Sequence, residues 1–347
     1  MSYSFENALK KKIEKQTIAV KASYDHQFLF LEWFTGMGKS LAALRILKEH
    51  TDGTWVIVVK ELNHKITWAD EAKKWKISLK NVEMITYHSL HKLDKKAKYN
   101  FILDETHAIT PARLKKLKVL KINRIVALTA TMPGSKKFLI NKLGKFSYYP
   151  ITMAKAIEEK MAPEPTIYQV MLTMTKTQRL AYDRLSYGIA QAMNADNQDL
   201  ASIIGGKRKR LIASWKTSAI KKRLDFSKRF VCFTGSIEQC DKLGGKNVVH
   251  SETKDRIKVI ENFNKLKTQN LFAVNMLRES MNLVNIDVGY IGQLDNQEKS
   301  FIQMLGRSFR STNPIVYVFT YKDSVDEYYA RTAFANIPEK YVKKLNG

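Results

Sequence analysis

Three short segments carry residues whose types and spacing suit phosphate chemistry. The first is TGMGKS (35–40), set between an apolar run and a helical pattern. At such a turn successive backbone N–H groups point into one hollow and bind phosphate oxygens, while the helix N-terminus adds a positive field. Thr35, Gly36, Met37 and Gly38 would form the cradle. Lys39 would reach the β- and γ-phosphates of a nucleotide, and the Ser40 hydroxyl would bind Mg2+. The full pattern GxxxxGK[ST] asks for glycine at position 33, where this chain has Trp33. A flat indole at the mouth of the loop would flank or stack on the nucleotide. The second segment is LDETH (103–107), directly after an apolar run. Asp104 would hold Mg2+ directly or through water, and Glu105 would orient and deprotonate an attacking water. The third is QMLGRSFR (303–310), which sets Gln303, Arg307 and Arg310 on one helical face. Guanidiniums from a second domain can stabilise charge on a γ-phosphate held by the first. Taken alone, a surface helix with two arginines is the simpler reading of that segment.

These residues need elements to position them. FLFLEWF (28–34), WVIVV (55–59), VEMIT (82–86), FIL (101–103) and IVAL (125–128) read as strands. The last two lack polar alternation, as strands buried on both faces do. Helical patterns lie between, one over 40–50 and one with Trp68, Ala72 and Trp75 on a single face. Strands alternating with helices predict a parallel sheet covered by helices, whose ligands sit at the C-terminal strand ends. The alternation breaks near Pro150. Residues 151–229 read as mostly helical and very basic, with turn signals at Pro163, Pro165 and Gly205-Gly206. It resumes with FVCF (230–233), NVVH (247–250), LFAV (271–274), VGYI (288–291) and IVYVF (315–319). The expectation is two α/β domains, 1–150 and 151–347, the second including the basic helical segment 151–229.

Charge narrows the partners. The chain has 347 residues, with 59 Lys+Arg against 33 Asp+Glu, a net charge of +26. Such an excess attracts a polyanion, and nucleic acid leads, although solubility alone is the bland reading. A membrane surface is disfavoured, because no basic amphipathic helix is apparent. No apolar stretch approaches the roughly 18–20 residues that span a bilayer, and the N-terminus does not read as a signal peptide. Cys232 and Cys240 suit a reducing compartment, not a disulfide framework or a zinc cluster. His88 and His91 have no third ligand nearby in sequence. The densest basic run is GGKRKRLIASWKTSAIKKRL (205–224). Its Lys207, Arg208, Lys209 and Arg210 are candidates to touch a phosphate backbone. Trp215 could stack a base, but the helical spacing of Leu211, Ile212, Trp215, Ile220 and Leu224 favours packing.

Together, in this order, the segments resemble the superfamily 2 helicases and translocases over nearly the whole chain. TGMGKS matches motif I, DETH matches motif II in its DExH form, and LTAT (128–131) matches motif III. FVCFTGS (230–236) looks like motif IV, NMLRESMNL (275–283) like motif V and QMLGRSFR like motif VI. VIVVKELNHKITWADEAKKW (56–75), with Trp68, Glu71 and Trp75, is similar to motif Ia of the Swi/Snf-type translocases. MITYHSL (84–90) looks like their motif Ib, and LTMTKTQRLAYDRL (172–185) like the segment opening their second half. LTAT is instead the DExH form, and the compact length is similar to small phage-type helicases.

The resemblance implies two RecA-like domains in tandem, with ATP and Mg2+ as cofactors. It implies that His107, Thr129 and Thr131 couple nucleotide state to nucleic-acid grip. Arg307 and Arg310 would be arginine fingers, with Gln303 near the γ-phosphate. Gln27 would read adenine, unless it is an ordinary polar strand start. Lys60, Ser89, Thr234 and Arg278 would hold nucleic-acid phosphates. Ser280 stands where motif V has glycine, which puts the coupling of ATP to strand movement in question. The implied protein is an ATP-dependent helicase acting on DNA. It would be monomeric and cytoplasmic, in a bacterial or phage-infected cell, alongside replication or recombination proteins. The alternatives are a double-stranded DNA translocase, an RNA helicase and a non-catalytic nucleic-acid clamp.

Overall fold

A computed structural model describes residues 3–274, 283, 285–295, 301–302, 304–306 and 311–347. The chain divides into two compact units, 1–162 and 163–347.

The first unit is built on six strands: β1 (Phe28–Trp33), β2 (Thr54–Val59), β3 (Val82–Thr86), β4 (Lys98–Leu103), β5 (Lys121–Thr129) and β6 (Ser147–Ile151). Their order is β3-β2-β4-β5-β1-β6, and every pair is parallel. The apolar runs of β1, β2, β4 and β5 are buried, as helix-covered parallel strands require. Helix α1 (Phe5–Asp25) packs on α2 (Lys39–Glu49), and α3 (Asn63–Lys74) follows β2. Parallel pairing leaves every C-terminal strand end at one edge. β4 and β1 flank β5, so their ends lie roughly 10 Å apart, two strand spacings. Register brings them level: Glu32 pairs with Thr129, and Leu103 with Ala127.

Two elements of this unit escape the sequence pattern. α1 is lysine-rich and weakly amphipathic, and Ser4 caps it through the Asn7 N–H. β6 carries Pro150 and is an edge strand beside β1, where a missing N–H is tolerated. Pro150 therefore lies inside the first unit.

The second unit holds β7 (Thr166–Leu172), β8 (Phe230–Thr234), β9 (Val248–Val249), β10 (Asn270–Val274), β11 (Val288–Ile291), β12 (Ile315–Tyr321) and β13 (Val342–Asn346). The order is β13-β7-β12-β11-β8-β10-β9, again with parallel pairs. The segment 151–229 is thus not a helical connection throughout, because β7 lies inside it and pairs with β12 and β13. Gln169 hides this strand in the sequence. It interrupts the apolar run, yet is buried and bonds to Thr320 Oγ1 at 3.2 Å.

Helices α7 (Lys176–Asn194) and α8 (Gln198–Arg223) pack side by side. Helices α4 (Pro111–Lys118), α5 (Gly134–Ile140) and α6 (Met153–Glu158) precede them in the chain, and α9 (Ile237–Gly244), α10 (Arg256–Asn264) and α11 (Val325–Phe334) follow. A capping box at Thr175 and Gln178 starts α7, and Asn197 caps α8. α8 runs straight through Gly205-Gly206, where a turn was expected. Each mid-helix glycine costs about 1 kcal/mol relative to alanine. Packing against α7 offsets that, while the turn falls at Asp196, whose φ is 50°. Trp215 packs on the unit's core with its ring edge-on to Tyr321. Among the described residues no helix is long and apolar enough to cross a membrane.

Candidate active site

The segment 35–40 joins the C-terminal end of β1 to α2. Gly36 and Gly38 have φ of 76° and 79°, left-handed values that favour glycine. The space beside Gly36 is open, whereas a Cβ on Gly38 would collide with Gln16 Nε2. Met37 is buried, and Ser40 is half-buried in the first turn of α2. Thr35 Oγ1 is buried without a hydrogen-bond partner among the described residues. Lys39 Nζ reaches back across the loop and donates to Trp33 O at 2.8 Å. Burial lowers the pKa of its ammonium, and the charges of Glu105 and Asp104 oppose that shift.

Two expectations about this loop need correction. Trp33 does not face a nucleotide. Its indole is 1% exposed, and Nε1 donates to Tyr149 O at 2.8 Å. Its contribution to the loop is its backbone carbonyl. Gln27 is exposed and precedes β1, so the whole strand, roughly 20 Å, separates it from the loop. The glutamine that meets the loop is Gln16, from α1. It is 2% exposed, with Nε2 beside Gly38 and Oε1 unpartnered among the described residues. Nothing local in the sequence marks it, because α1 itself is not legible there.

Asp104 stands at the end of β4 in a cage of donors. Its backbone N–H bonds to Val58 O, and its carbonyl accepts from Tyr87 Oη at 2.9 Å. Glu105 N–H donates to Oδ1 at 3.0 Å, and Trp68 Nε1 donates to Oδ2 at 3.0 Å. His64 Nδ1 lies 3.7 Å from the same Oδ2. Burial opposes charging of His64, but the hydrogen bond and charges of Asp104, with Glu105 and Glu61, outweigh it and raise its pKa. Burial, with the Asp104 and Glu105 charges, pushes the Tyr87 hydroxyl well up, so it stays a donor. His64 and Tyr87 lie within the motif-like segments 56–75 and 84–90, but nothing in the pattern ties them to Asp104, and the Trp68 bond joins residues 36 positions apart.

Glu105 adopts φ 47°, ψ 52°, a left-handed conformation that costs a residue with a side chain on the order of 1–3 kcal/mol. His107 Nδ1 lies 3.1 Å from Glu105 Oε2 and 3.1 Å from Thr129 Oγ1. The Thr129 hydroxyl donates to Thr131 O at 2.8 Å. Thr106 Oγ1 donates to Leu103 O and accepts from Leu128 N, tying the turn to β5. Lys39, Asp104, Glu105, His107, Thr129 and Thr131 thus gather at one sheet edge.

The other candidates are more scattered. Lys60 follows β2 and is half-buried; Ser89 Oγ lies 3.3 Å from Thr86 Oγ1. Thr234 is fully buried and its hydroxyl bonds to the carbonyls of Ser236 and Ala273, so its side chain is closed to a phosphate. On α8, Lys207 and Arg210 are exposed and Lys209 half-buried. Arg208 turns inward: Nη1 donates to Ser186 Oγ at 2.9 Å, and its guanidinium lies over the Tyr182 ring. Arg278, Ser280, Gln303, Arg307 and Arg310 lie outside the described residues.

Residues 205–312 match the helicase conserved C-terminal domain family. No curated protein matches the chain. Among solved structures, the fold is similar to Saccharomyces cerevisiae Dbp5 bound to RNA and ADP BeF3. The TM-score is 0.60 at 11% identity, over 92% of this chain and 85% of that one. It is similar to the ATP-dependent Type ISP restriction-modification enzyme LlaBIII bound to DNA, with TM-score 0.60, 11% identity, and 100% and 31% of the two chains covered. It is also similar to the Pyrococcus furiosus Hef helicase domain, with TM-score 0.58, 12% identity, and 96% and 100% covered. The fold is therefore two parallel-sheet α/β domains in tandem, of the RecA-like kind found in helicases.

Proposed function

We propose that the chain is a nucleic-acid-dependent ATPase of the superfamily 2 kind, acting as a DNA helicase. The observation that carries this reading is the convergence of Lys39 with Asp104 and Glu105, 65 and 66 positions away, at one edge of a parallel sheet. A cation able to take a γ-phosphate and two carboxylates able to serve metal and water then share one place.

The residues fit the groups the reaction needs. Left-handed φ at Gly36 and Gly38 shapes the loop, and the open space beside Gly36 would admit a phosphate chain. The Ser40 hydroxyl and Asp104 carboxylate are hard oxygen donors suited to Mg2+. Among the described residues no cluster of three or more His, Cys, Asp or Glu could hold a metal by itself. Bound Mg2+ would neutralise charge on the transferred phosphoryl group. Lys39 would leave Trp33 O and turn to the phosphates. Glu105, held by His107, would accept the proton of the attacking water. The link Glu105–His107–Thr129–Thr131 supports a route by which changes at the water-positioning acid reach the end of β5. Arg307, Arg310 and Gln303, which lie outside the described residues, are the proposed groups for stabilising charge on the γ-phosphate. Lys60, Ser89, Lys207 and Arg210 would contact nucleic-acid phosphates, a source of salt-sensitive affinity without sequence preference. ATP, Mg2+ and nucleic acid are thus the proposed cofactors and partner, and the net charge of +26 favours that partner.

The test is steady-state ATPase with single-stranded, duplex and forked DNA and with RNA, at two salt concentrations. Stimulation by forked or single-stranded DNA supports the helicase; stimulation by duplex alone points to a translocase, and by RNA alone to an RNA helicase. Lys39→Ala and Glu105→Gln should each remove turnover while DNA binding persists. Wild-type turnover in either variant overturns the site. Tight DNA binding with no turnover under any condition points to a clamp.

A further inference from the structure

We propose that Trp68 is a positioning residue for Asp104, acting through the indole N–H to fix the carboxylate that faces Mg2+. This rests on the reading of Asp104 as that carboxylate. Helix α3 presents two faces. Leu62 and Ile66 near its start are exposed, at 69% and 66%, whereas His64, Trp68 and Ala72 are buried. The helix packs on α2, and Trp68, 2% exposed, spends its only polar side-chain atom on Asp104 Oδ2 at 3.0 Å, just past the end of β4. The opposite oxygen, Oδ1, takes the Glu105 N–H at 3.0 Å. Oδ1 therefore has one close donor, and Oδ2 has Trp68 at hydrogen-bond distance with His64 Nδ1 farther off at 3.7 Å, which leaves lone-pair capacity for a further partner.

The chemistry of the donor matters. An indole N–H is a donor only, carries no charge and does not ligate metals. A lysine or arginine here would neutralise the carboxylate and compete with the cation. A serine or glutamine could turn its own oxygen toward the metal. Trp68 does neither: it locks the rotamer of Asp104 and leaves its charge intact. Donors of this kind around a ligating carboxylate typically hold ~10–100-fold in metal affinity or activity.

The experiment measures equilibrium binding of a non-hydrolysable ATP analogue by full-length protein, with and without Mg2+, across a Mg2+ titration. Trp68→Phe removes the donor and keeps a ring. Replacement of Trp68 by β-(3-benzothienyl)alanine keeps the bicyclic shape and removes only the N–H, which guards against a folding defect in the first variant. Asp104→Asn is measured beside them. Both position-68 variants should bind the analogue normally without Mg2+, and should need about tenfold or more Mg2+ for half-maximal tightening. An unchanged Mg2+ requirement in the benzothienyl protein overturns the proposal. Equal weakening with and without Mg2+ also overturns it, since that marks general distortion of the site. If Asp104→Asn retains the full Mg2+ effect, the underlying reading of Asp104 fails instead.

Discussion

Helix α8 is fastened to the start of α11 by a charge pair that water does not reach, and breaking it should cost more than any surface change on the helix. Lys216 and Asp326 have side chains 0% and 1% exposed, with Nζ 2.7 Å from Oδ2. Lys216 also donates to Gly292 O at 2.8 Å. Asp326 accepts from Gln293 Nε2 at 3.1 Å and Tyr321 N at 3.2 Å. Lys216→Met leaves the carboxylate buried with, among the described residues, these two neutral donors, and strips Gly292 O of the Lys216 ammonium. Removing one member of a buried pair costs about 3–5 kcal/mol. The two surviving donors place Lys216→Met near the lower figure, about 3 kcal/mol. Asp326→Asn leaves an ammonium whose pKa burial already lowers, so it can shed its proton instead of staying charged. Its cost should be similar. The double variant should cost less than the sum of the single variants, with a coupling energy above about 1 kcal/mol. Urea unfolding followed by circular dichroism gives the free energies, and hydrogen exchange at α8 and β11 shows that the loss is local to that contact. At roughly 2–4 °C per kcal/mol, Lys216→Met should lower the melting temperature by about 6–12 °C. A shift under 2 °C, or simple additivity in the double variant, would refute this account of how α8 is held.

Other residues make further outcomes checkable. Gln16→Ala should weaken binding of an ATP analogue several-fold while Gln27→Ala leaves it unchanged; calorimetry of the two variants tests the geometry that separates these glutamines. Lys207→Ala and Arg210→Ala should each lower the slope of log affinity for DNA against log salt by about 1. Arg208→Ala, whose guanidinium faces α7, should instead lower stability with little change in that slope, readable by melting and binding isotherms. His50 is buried against Ser23 Oγ at 2.7 Å, and burial, then the Arg124 charge, lowers its pKa below the usual 6.5. The unfolded chain therefore takes up a proton near pH 6.5 before the folded one does, so stability is full above that pH and falls as pH drops toward the lowered value. Melting curves of His50→Gln should lose this part of the acid sensitivity.

What could be read in the sequence and what could not follows from where the information lies along the chain. The loop at 35–40 and the acids at 104 and 105 are contiguous, and each follows an apolar strand whose burial needs no knowledge of its neighbours. Their convergence follows from parallel pairing alone, because parallel strands put every C-terminal end on one edge. β7 is not legible in the sequence because Gln169 looks polar until Thr320, 151 positions on, supplies its partner. α1 and Gln16 were missed because the reason for burying that amide is the missing side chain of Gly38, a fact of space rather than of pattern. Thr234 shows the opposite case: its hydroxyl suits a phosphate, but it is spent on the carbonyls of Ser236 and Ala273.

Trp33 carries the same lesson further. A bulky residue where the loop pattern calls for glycine reads as an intrusion on the nucleotide, yet only its backbone faces the loop. The side chain of a strand's last residue points to one side of the sheet and its carbonyl lies along it, so bulk and function separate. The indole goes to Tyr149 O and the carbonyl to Lys39 Nζ. The departure from the motif is thereby confined to the core, and in the proposed reading the phosphate-facing chemistry of the loop would fall to Gly36, Gly38 and Lys39.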